Sequence, residues 1–220
     1  AARYNPIVAL RIAAVLRDER VNIVHTHLKH ADIVGGLAAR LVRMPSVSTL
    51  HVIETTTSWP HHLRIRAAVL ARKRLAARVI AVSNAQRRWY THYAGSNANV
   101  TVLHNGVGEP QATRDRAAVR AELAIPADAL FALCVSLMRA EKGHTDLLQA
   151  IRRVPADLPL VLTMAGDGPL LDSVRALVDS DPTLRTKVRV LGFRHDVADL
   201  IAACDFVIHP SREDALPTAL

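Results

Sequence analysis

Apolar residues arrive in short runs bounded by turn formers, and between the runs they recur every three or four positions. Runs at 21–25, 47–51, 78–83, 100–104, 130–136, 160–165, 188–191 and 206–209 predict buried parallel strands. The stretches 31–42, 62–77, 85–93, 114–123, 145–154, 170–178 and 197–203 predict helices. One more helix is predicted ahead of the first strand. Asn5 suits its N-cap, Pro6 its first position, and Ile7, Leu10, Ala14 and Val15 one face. Strands and helices alternating along the whole chain mean an α/β fold with a mostly parallel sheet.

The punctuation divides the pattern. Asn105-Gly106-Val107-Gly108-Glu109-Pro110 opens a polar stretch that runs through one short helix to Pro126, and a fresh apolar strand begins at Leu130. This predicts a first domain over 1–107, a linker over 108–128 and a second domain over 129–220. No apolar run approaches the roughly 18 residues that a membrane span needs. Residues 1–20 read as a charged amphipathic helix and not as a signal peptide. The start at Ala1, without Met, predicts a processed or cut terminus. Cys134 and Cys204 sit inside apolar segments and read as reduced core residues of a cytosolic protein.

Charge changes the picture in one place. The formal net charge is +8, and no acidic residue lies between Glu54 and Glu109. That stretch holds Arg64, Arg66, Arg72, Lys73, Arg74, Arg78, Arg87 and Arg88. Such an excess attracts nucleic acid, an anionic bilayer or an acidic substrate, or is simply a solvated helix face. Aromatic residues make up only 4% of the chain, so stacking platforms are scarce and nucleic acid is not an expected partner. At 100° per residue, Arg64, Arg66, Arg72, Lys73 and Arg74 spread around their helix.

Candidate chemistry concentrates where strands hand over to helices, the place where α/β folds hold ligands. Lys142, followed by Gly143 and a helix, suits a phosphate; its plain alternative is an exposed turn lysine. Gly166-Asp167-Gly168-Pro169 permits close backbone approach, and open N–H groups at the following helix start would attract an anion. It fits neither a Walker loop nor Gly-x-Gly-x-x-Gly. Asp214 precedes Ala215, Leu216 and Pro217; its plain reading is a helix N-cap or first-turn acid, and Glu213 is the alternative. His25 and His27 share one strand face, yet no third ligand accompanies them, so no metal site is predicted. His51 ends a strand, while His30, His61 and His62 read as surface residues.

Eight segments in order resemble family 4 retaining glycosyltransferases of the GT-B fold, over roughly 20–220. They are Asn22 to His27 with Gly35-Gly36, Ser48-Thr49-Leu50-His51, Arg78 to Ser83, Val102 to Val107, Glu141-Lys142-Gly143, Ala165 to Pro169, Leu191-Gly192, and Asp205 to Pro217. The resemblance implies two Rossmann-like parallel-sheet domains, both incomplete here, the first on the acceptor side and the second on the donor side. It implies transfer of a glycosyl group from a nucleotide-sugar donor to an acceptor hydroxyl with retention, in cell-envelope or lipid-linked glycan synthesis. The leaving phosphate would itself help deprotonate the acceptor, and neither cofactor nor metal is expected.

The implied roles follow position by position. Asp214 contacts the transferred sugar, and the backbone of Ala215, Leu216 and Pro217 donates to sugar hydroxyls or phosphate. Lys142 and Arg139 meet the leaving phosphate, and Gly166 and Gly168 touch the donor. Phe193 and Arg194 read the nucleobase, largely through backbone groups. His51 faces the donor sugar from the other domain. Leu137 stands where the family often has Arg, Asp214 where it has Glu, and the second acid would fall two positions beyond Leu220. A nucleotide-sugar epimerase and a non-catalytic nucleotide-sugar-binding module are the alternatives, discriminated by sugar release from the donor. A glycan or lipid-linked acceptor, and an anionic membrane surface met through 61–88, complete the expected partners. The expected location is cytoplasmic, peripheral at the inner face of the membrane. These 220 residues alone are expected to be inactive and prone to aggregate.

Overall fold

The structure is a computed structural model that describes residues 5–54, 58–95, 98–109 and 111–217. Residues 1–4 of the expected first helix, Pro110 of the expected linker and residues 218–220 of the expected second domain lie outside the described residues. The chain forms two compact units, Ala1–Gly106 with Asp214–Pro217, and Val107–Glu213.

In the first unit four parallel strands lie in the order β1 (Val24–His27), β2 (Ser46–Leu50), β3 (Arg78–Ala81) and β4 (Val100–Val102). Helices α1 (Pro6–Asp18), α2 (Lys29–Leu41), α3 (Trp59–Leu75) and α4 (Asn84–Ala94) alternate with them. The strand expected at 21–25 lies three residues later. Val21 instead closes the end of α1, its N–H donating to the Leu16 carbonyl, and pairing begins only at Val24 with Ser46.

Asn5 caps α1 as expected, its Oδ1 accepting from the Ile7 N–H at 2.9 Å, with Pro6 first in the helix. The buried face is not the expected one. Ala9, Ala13 and Leu16 are inside, against Val34 and Ala38 of α2, while Ile7, Leu10 and Val15 are more than half exposed. Small side chains let two helices approach closely, so residue size decided this face. The same closeness places Gly35 and Gly36 mid-helix in α2. An added Cβ at Gly35 would meet the Thr26 methyl at 2.9 Å, and one at Gly36 the Leu75 Cβ at 3.0 Å.

The second unit has strands in the order β7-β6-β5-β8, again all parallel: β5 (Leu130–Val135), β6 (Leu160–Ala165), β7 (Val188–Gly192) and β8 (Phe206–Val207). Alternate strand residues face opposite layers. Ala132, Cys134, Leu162 and Met164 pack with α6 (His144–Arg152), α7 (Leu171–Ser180) and α8 (Pro182–Lys187). Phe131, Leu133, Val161 and Ala165 pack on the other side with α5 (Arg116–Glu122) and α9 (Val197–Ala203). Each fully buried side chain of Phe or Leu size adds about 1.5–3 kcal/mol. Helix α8 has no counterpart in the sequence reading; Asp181 caps it, accepting from the Thr183 and Leu184 N–H groups. The stretch read as a linker carries α5, whose Val119 is buried in this core along with Leu123 and Ile125. Asp199 of α9 accepts from the Thr113 and Arg114 N–H groups and ties the incoming chain down.

Candidate functional site

Each unit gathers its polar chemistry at the carboxyl ends of its own strands. In the first, β1 ends at His27 and β2 hands over to His51. His27 Nδ1 lies 2.8 Å from His51 Nε2, and His25 Nε2 lies 2.7 Å from Thr49 Oγ1. His25 and His27 share a face with ring centroids 4.3 Å apart. Partial burial holds the His51 imidazole below its usual range; His27 and His25 press in the same direction and Asp32 opposes. His51 thus favours the neutral form. It lines a cleft of about 280 Å³ with Lys29, Glu54, Arg72 and Trp89.

Beneath that cleft lies a buried ion pair invisible in a count of charges. Arg72 donates through Nε and Nη2 to Asp32 Oδ2 at 3.0 and 2.5 Å. Thr26 and Ser48 hydroxyls donate to Asp32 Oδ1 at 2.6 and 2.8 Å. One carboxylate therefore joins β1, β2, α2 and α3. Burial also pushes the Tyr90 phenol up to about 12. Arg72 does not belong to the surface patch, and Lys73 is committed to the Ala94 carbonyl at 2.7 Å.

In the second unit the loop after β5 passes Leu137 and Arg139, both exposed, and tightens into a 3-10 turn, Ala140–Lys142. Lys142 closes the turn, half-buried. Gly143 then adopts φ 69°, where an added Cβ would collide with the Pro210 backbone oxygen. The segment after β8 folds onto this turn: the Arg212 N–H donates to the Glu141 carbonyl, and its guanidinium grips Asp146 at 2.7 and 2.8 Å.

The turn after β6 is sewn to the same loop. Met138 donates to the Asp167 carbonyl, and Leu170 donates back to Met138. Gly166 has φ 148°, and a side chain there would run into the Ser136 carbonyl. Some of the N–H groups expected to be open here already have partners. Those of Gly166, Leu170 and Leu171 donate to Gly192, Met138 and Gly168, and Gly168 donates to its neighbour Asp167 Oδ1 at 2.7 Å. Close approach of the main chain is what this turn offers a ligand.

After β7, Phe193 is 64% exposed with His195 edge-on to its ring. The Arg194 side chain turns away to bond Asp196 at 2.6 and 2.7 Å and Glu122 at 3.0 Å. The bond to Asp196 is the main cause of its raised pKa. Arg114 completes the network through Glu122 and Asp196. With the Arg194 side chain so committed, main chain and Phe193 remain to line the cleft of about 250 Å³ shared with Ser136, Leu137, Gly166 and Asp167.

The second unit holds Arg139, Lys142, Gly166, Gly168, Phe193 and Arg194 on its loops after β5, β6 and β7, and of these Gly166, Phe193 and Arg194 line one cleft. Asp214, Ala215, Leu216 and Pro217 group with the first unit, which also holds His51. Among the described residues no cluster of three His, Cys, Asp or Glu is placed to hold a metal ion. Sequence reasoning passed over His144, the first residue of α6. It is buried, and its Nε2 lies 2.9 Å from Ser136 Oγ. Burial holds its pKa down; the Arg139 backbone acts against this and Lys142 with it. The signal was available, because 144, 147, 148 and 151 share one helical face and the other three are apolar.

Residues 1–108 match the pattern described as Glycosyltransferase Family 4, and residues 130–220 that described as Glycosyl transferases group 1. The Escherichia coli UDP-Gal:alpha-D-GlcNAc-diphosphoundecaprenol alpha-1,3-galactosyltransferase is 23% identical over 216 residues, covering 94% of this chain and 56% of that protein. Alpha-maltose-1-phosphate synthase of Mycobacterium tuberculosis is 32% identical over 180 residues, covering 76% and 46%. Among solved structures, Anabaena HepE in complex with UDP-glucose superposes with a TM-score of 0.77 at 27% identity, covering 94% of this chain and 58% of that one. The chain thus spans about half the length of the relatives it matches.

Proposed function

The chain belongs to the family 4, group 1 glycosyltransferases and carries their GT-B fold, and from that premise we propose that it binds a nucleoside diphosphate sugar and serves transfer of the sugar to an acceptor hydroxyl with retention. The observation that carries this reading is the stitched set of loops after β5, β6 and β7. They hold a bare main-chain turn at Gly166 against a cleft of about 250 Å³, and the loop that carries Lys142 is bonded to that turn through Met138. As the bond from the anomeric carbon to the diphosphate breaks, negative charge grows on the phosphate oxygens. A preorganised cation beside them lowers that barrier. Lys142 and Arg139 are assigned to this charge, and the Gly166–Gly168 turn to close contact with the donor. The base is assigned to the backbone at Phe193 and Arg194, and the sugar to Asp214, the backbone of Ala215 to Pro217, and His51.

Similarity to a UDP-glucose-bound protein supports a uridine donor. Similarity to an enzyme named for a diphosphoundecaprenol acceptor supports a lipid-linked acceptor in envelope glycan synthesis. The departures at Leu137 and Asp214 favour one second reading, a module that binds nucleotide sugar without turning it over. Calorimetry of the chain with UDP tests the binding: UDP should bind, and Lys142→Ala should weaken it about tenfold, the worth of one charge-assisted contact. Failure of UDP, GDP and ADP alike to bind would sink the reading. UDP-glucose that binds without sugar release, even with acceptor present and in the longest natural form of the protein, would favour the module.

A further inference from the structure

We propose that Arg114, Glu122, Arg194 and Asp196 form a closed ring of charges that sets the main chain of Phe193 and Arg194 for the base of the donor, with Arg114, Glu122 and Asp196 as positioning residues; this rests on the donor reading above. Arg194 grips Asp196 through Nε at 2.7 Å and Nη2 at 2.6 Å, and reaches Glu122 Oε1 through Nη2 at 3.0 Å. Arg114 donates to the other oxygen of Glu122 and, through Nη1 at 3.1 Å, to Asp196 Oδ2. Each cation thus serves both anions, and each anion both cations. The bonds hold both carboxyls below their usual range, Arg114 first for Glu122 and Arg194 first for Asp196. A lone exposed ion pair contributes little, whereas a forked grip inside a network of charges keeps its geometry.

The segment that the ring holds has little else to hold it. Phe193, Arg194 and Val197 line the cleft of about 250 Å³, and Asp196 lies among them in the chain. Among the described residues no main-chain hydrogen bond reaches Phe193, Arg194 or His195, so side chains must fix this stretch. Asp196 stands at the cap position of α9, yet its carboxylate makes no capping bond and goes to the two arginines instead. The far side of the ring is anchored in the core. The Arg114 N–H donates to buried Asp199 at 3.1 Å, and Glu122 ends α5, flanked by the buried Leu123. Of the four, only Arg194 lines the cleft, so the other three act on a ligand through it.

Amide hydrogen exchange of the nucleotide-free chain tests the positioning, and calorimetry with UDP and with inorganic diphosphate tests its use. In Arg114→Gln the amides of Phe193, Arg194 and His195 should exchange about tenfold faster, while those of β6 keep their rates. UDP should bind about tenfold more weakly, and inorganic diphosphate, which has no base, within about twofold of the unchanged chain. Glu122→Gln should act alike, and the two together should cost no more than either, because both break one ring. Arg152→Gln, which removes the ion pair with Asp181 at the end of α6, should change neither affinity. Circular dichroism and urea unfolding report that each variant folds. Unchanged exchange at 193–195, equal losses for UDP and diphosphate, or additive losses in the double variant would each overturn the proposal. A chain that binds no nucleotide yet loosens at 193–195 in Arg114→Gln would overturn the donor reading while the ring stands.

Discussion

His27 and His51, the last residue of one strand and the first residue beyond its neighbour, meet nitrogen to nitrogen at 2.8 Å. One of the two nitrogens must carry the proton of that bond, and after burial His27 is the next influence that holds the His51 pKa down. His27→Gln removes one of the influences that lower the His51 pKa and should raise it towards 6.5. Titration of the His51 ring signals by NMR checks the direction; an unchanged midpoint would mean that the bond is not made in solution.

The Asp32–Arg72 pair makes a larger claim on stability. Arg72→Ala would leave a buried carboxylate with hydroxyl partners only, at a cost of about 3–5 kcal/mol. Adding Asp32→Asn should recover part of that loss, because the stranded charge is gone. Urea unfolding of the two variants measures both values.

Acid should weaken the fold before its carboxylates titrate. His144 and His51 both have folded pKa values below 6.5. As pH falls, the unfolded chain therefore takes up protons first. Their contribution is complete above about 6.5 and is lost as pH drops through that value towards the folded ones. The urea midpoint should fall between pH 7 and 5. His144→Gln, which can keep a bond to Ser136, should flatten that slope.

Two glycines with positive φ separate geometry from space. Gly95, at φ 85° and ψ 168°, has open space where a methyl group would sit, so Gly95→Ala should cost about 1–3 kcal/mol of backbone strain alone. Gly166→Ala adds a collision with the Ser136 carbonyl and should cost roughly 3 kcal/mol or more. It should also abolish UDP binding. Thermal unfolding with and without UDP distinguishes the two cases.

The alternation of strands and helices was legible because parallel strands buried on both faces read as continuous apolar runs, as 160–165 does. The α1 face was not legible. Periodicity marks apolar positions, yet here Ala9 and Ala13 were chosen for smallness and Leu10 and Val15 left outside. At the candidate site, the sequence revealed residue types at strand ends but not partners. Nothing in a linear reading tells that Arg194 would turn its side chain to Asp196 and Glu122, or that Arg72 would leave the surface for Asp32. Those outcomes depend on which strands lie side by side.

Strand order in the second unit has a further effect, on the sequence of events as the chain is made. β5 is synthesised first of the four, yet its second edge is filled by β8, the last. Until Phe206 emerges, that edge presents unpaired N–H and carbonyl groups. At typical synthesis rates the wait is on the order of seconds. During it, Asp205, which later accepts from the Phe131 N–H at 2.6 Å, is not yet there to cover the edge. For that interval a strand that ends up paired on both sides is the one most open to pairing with a stranger.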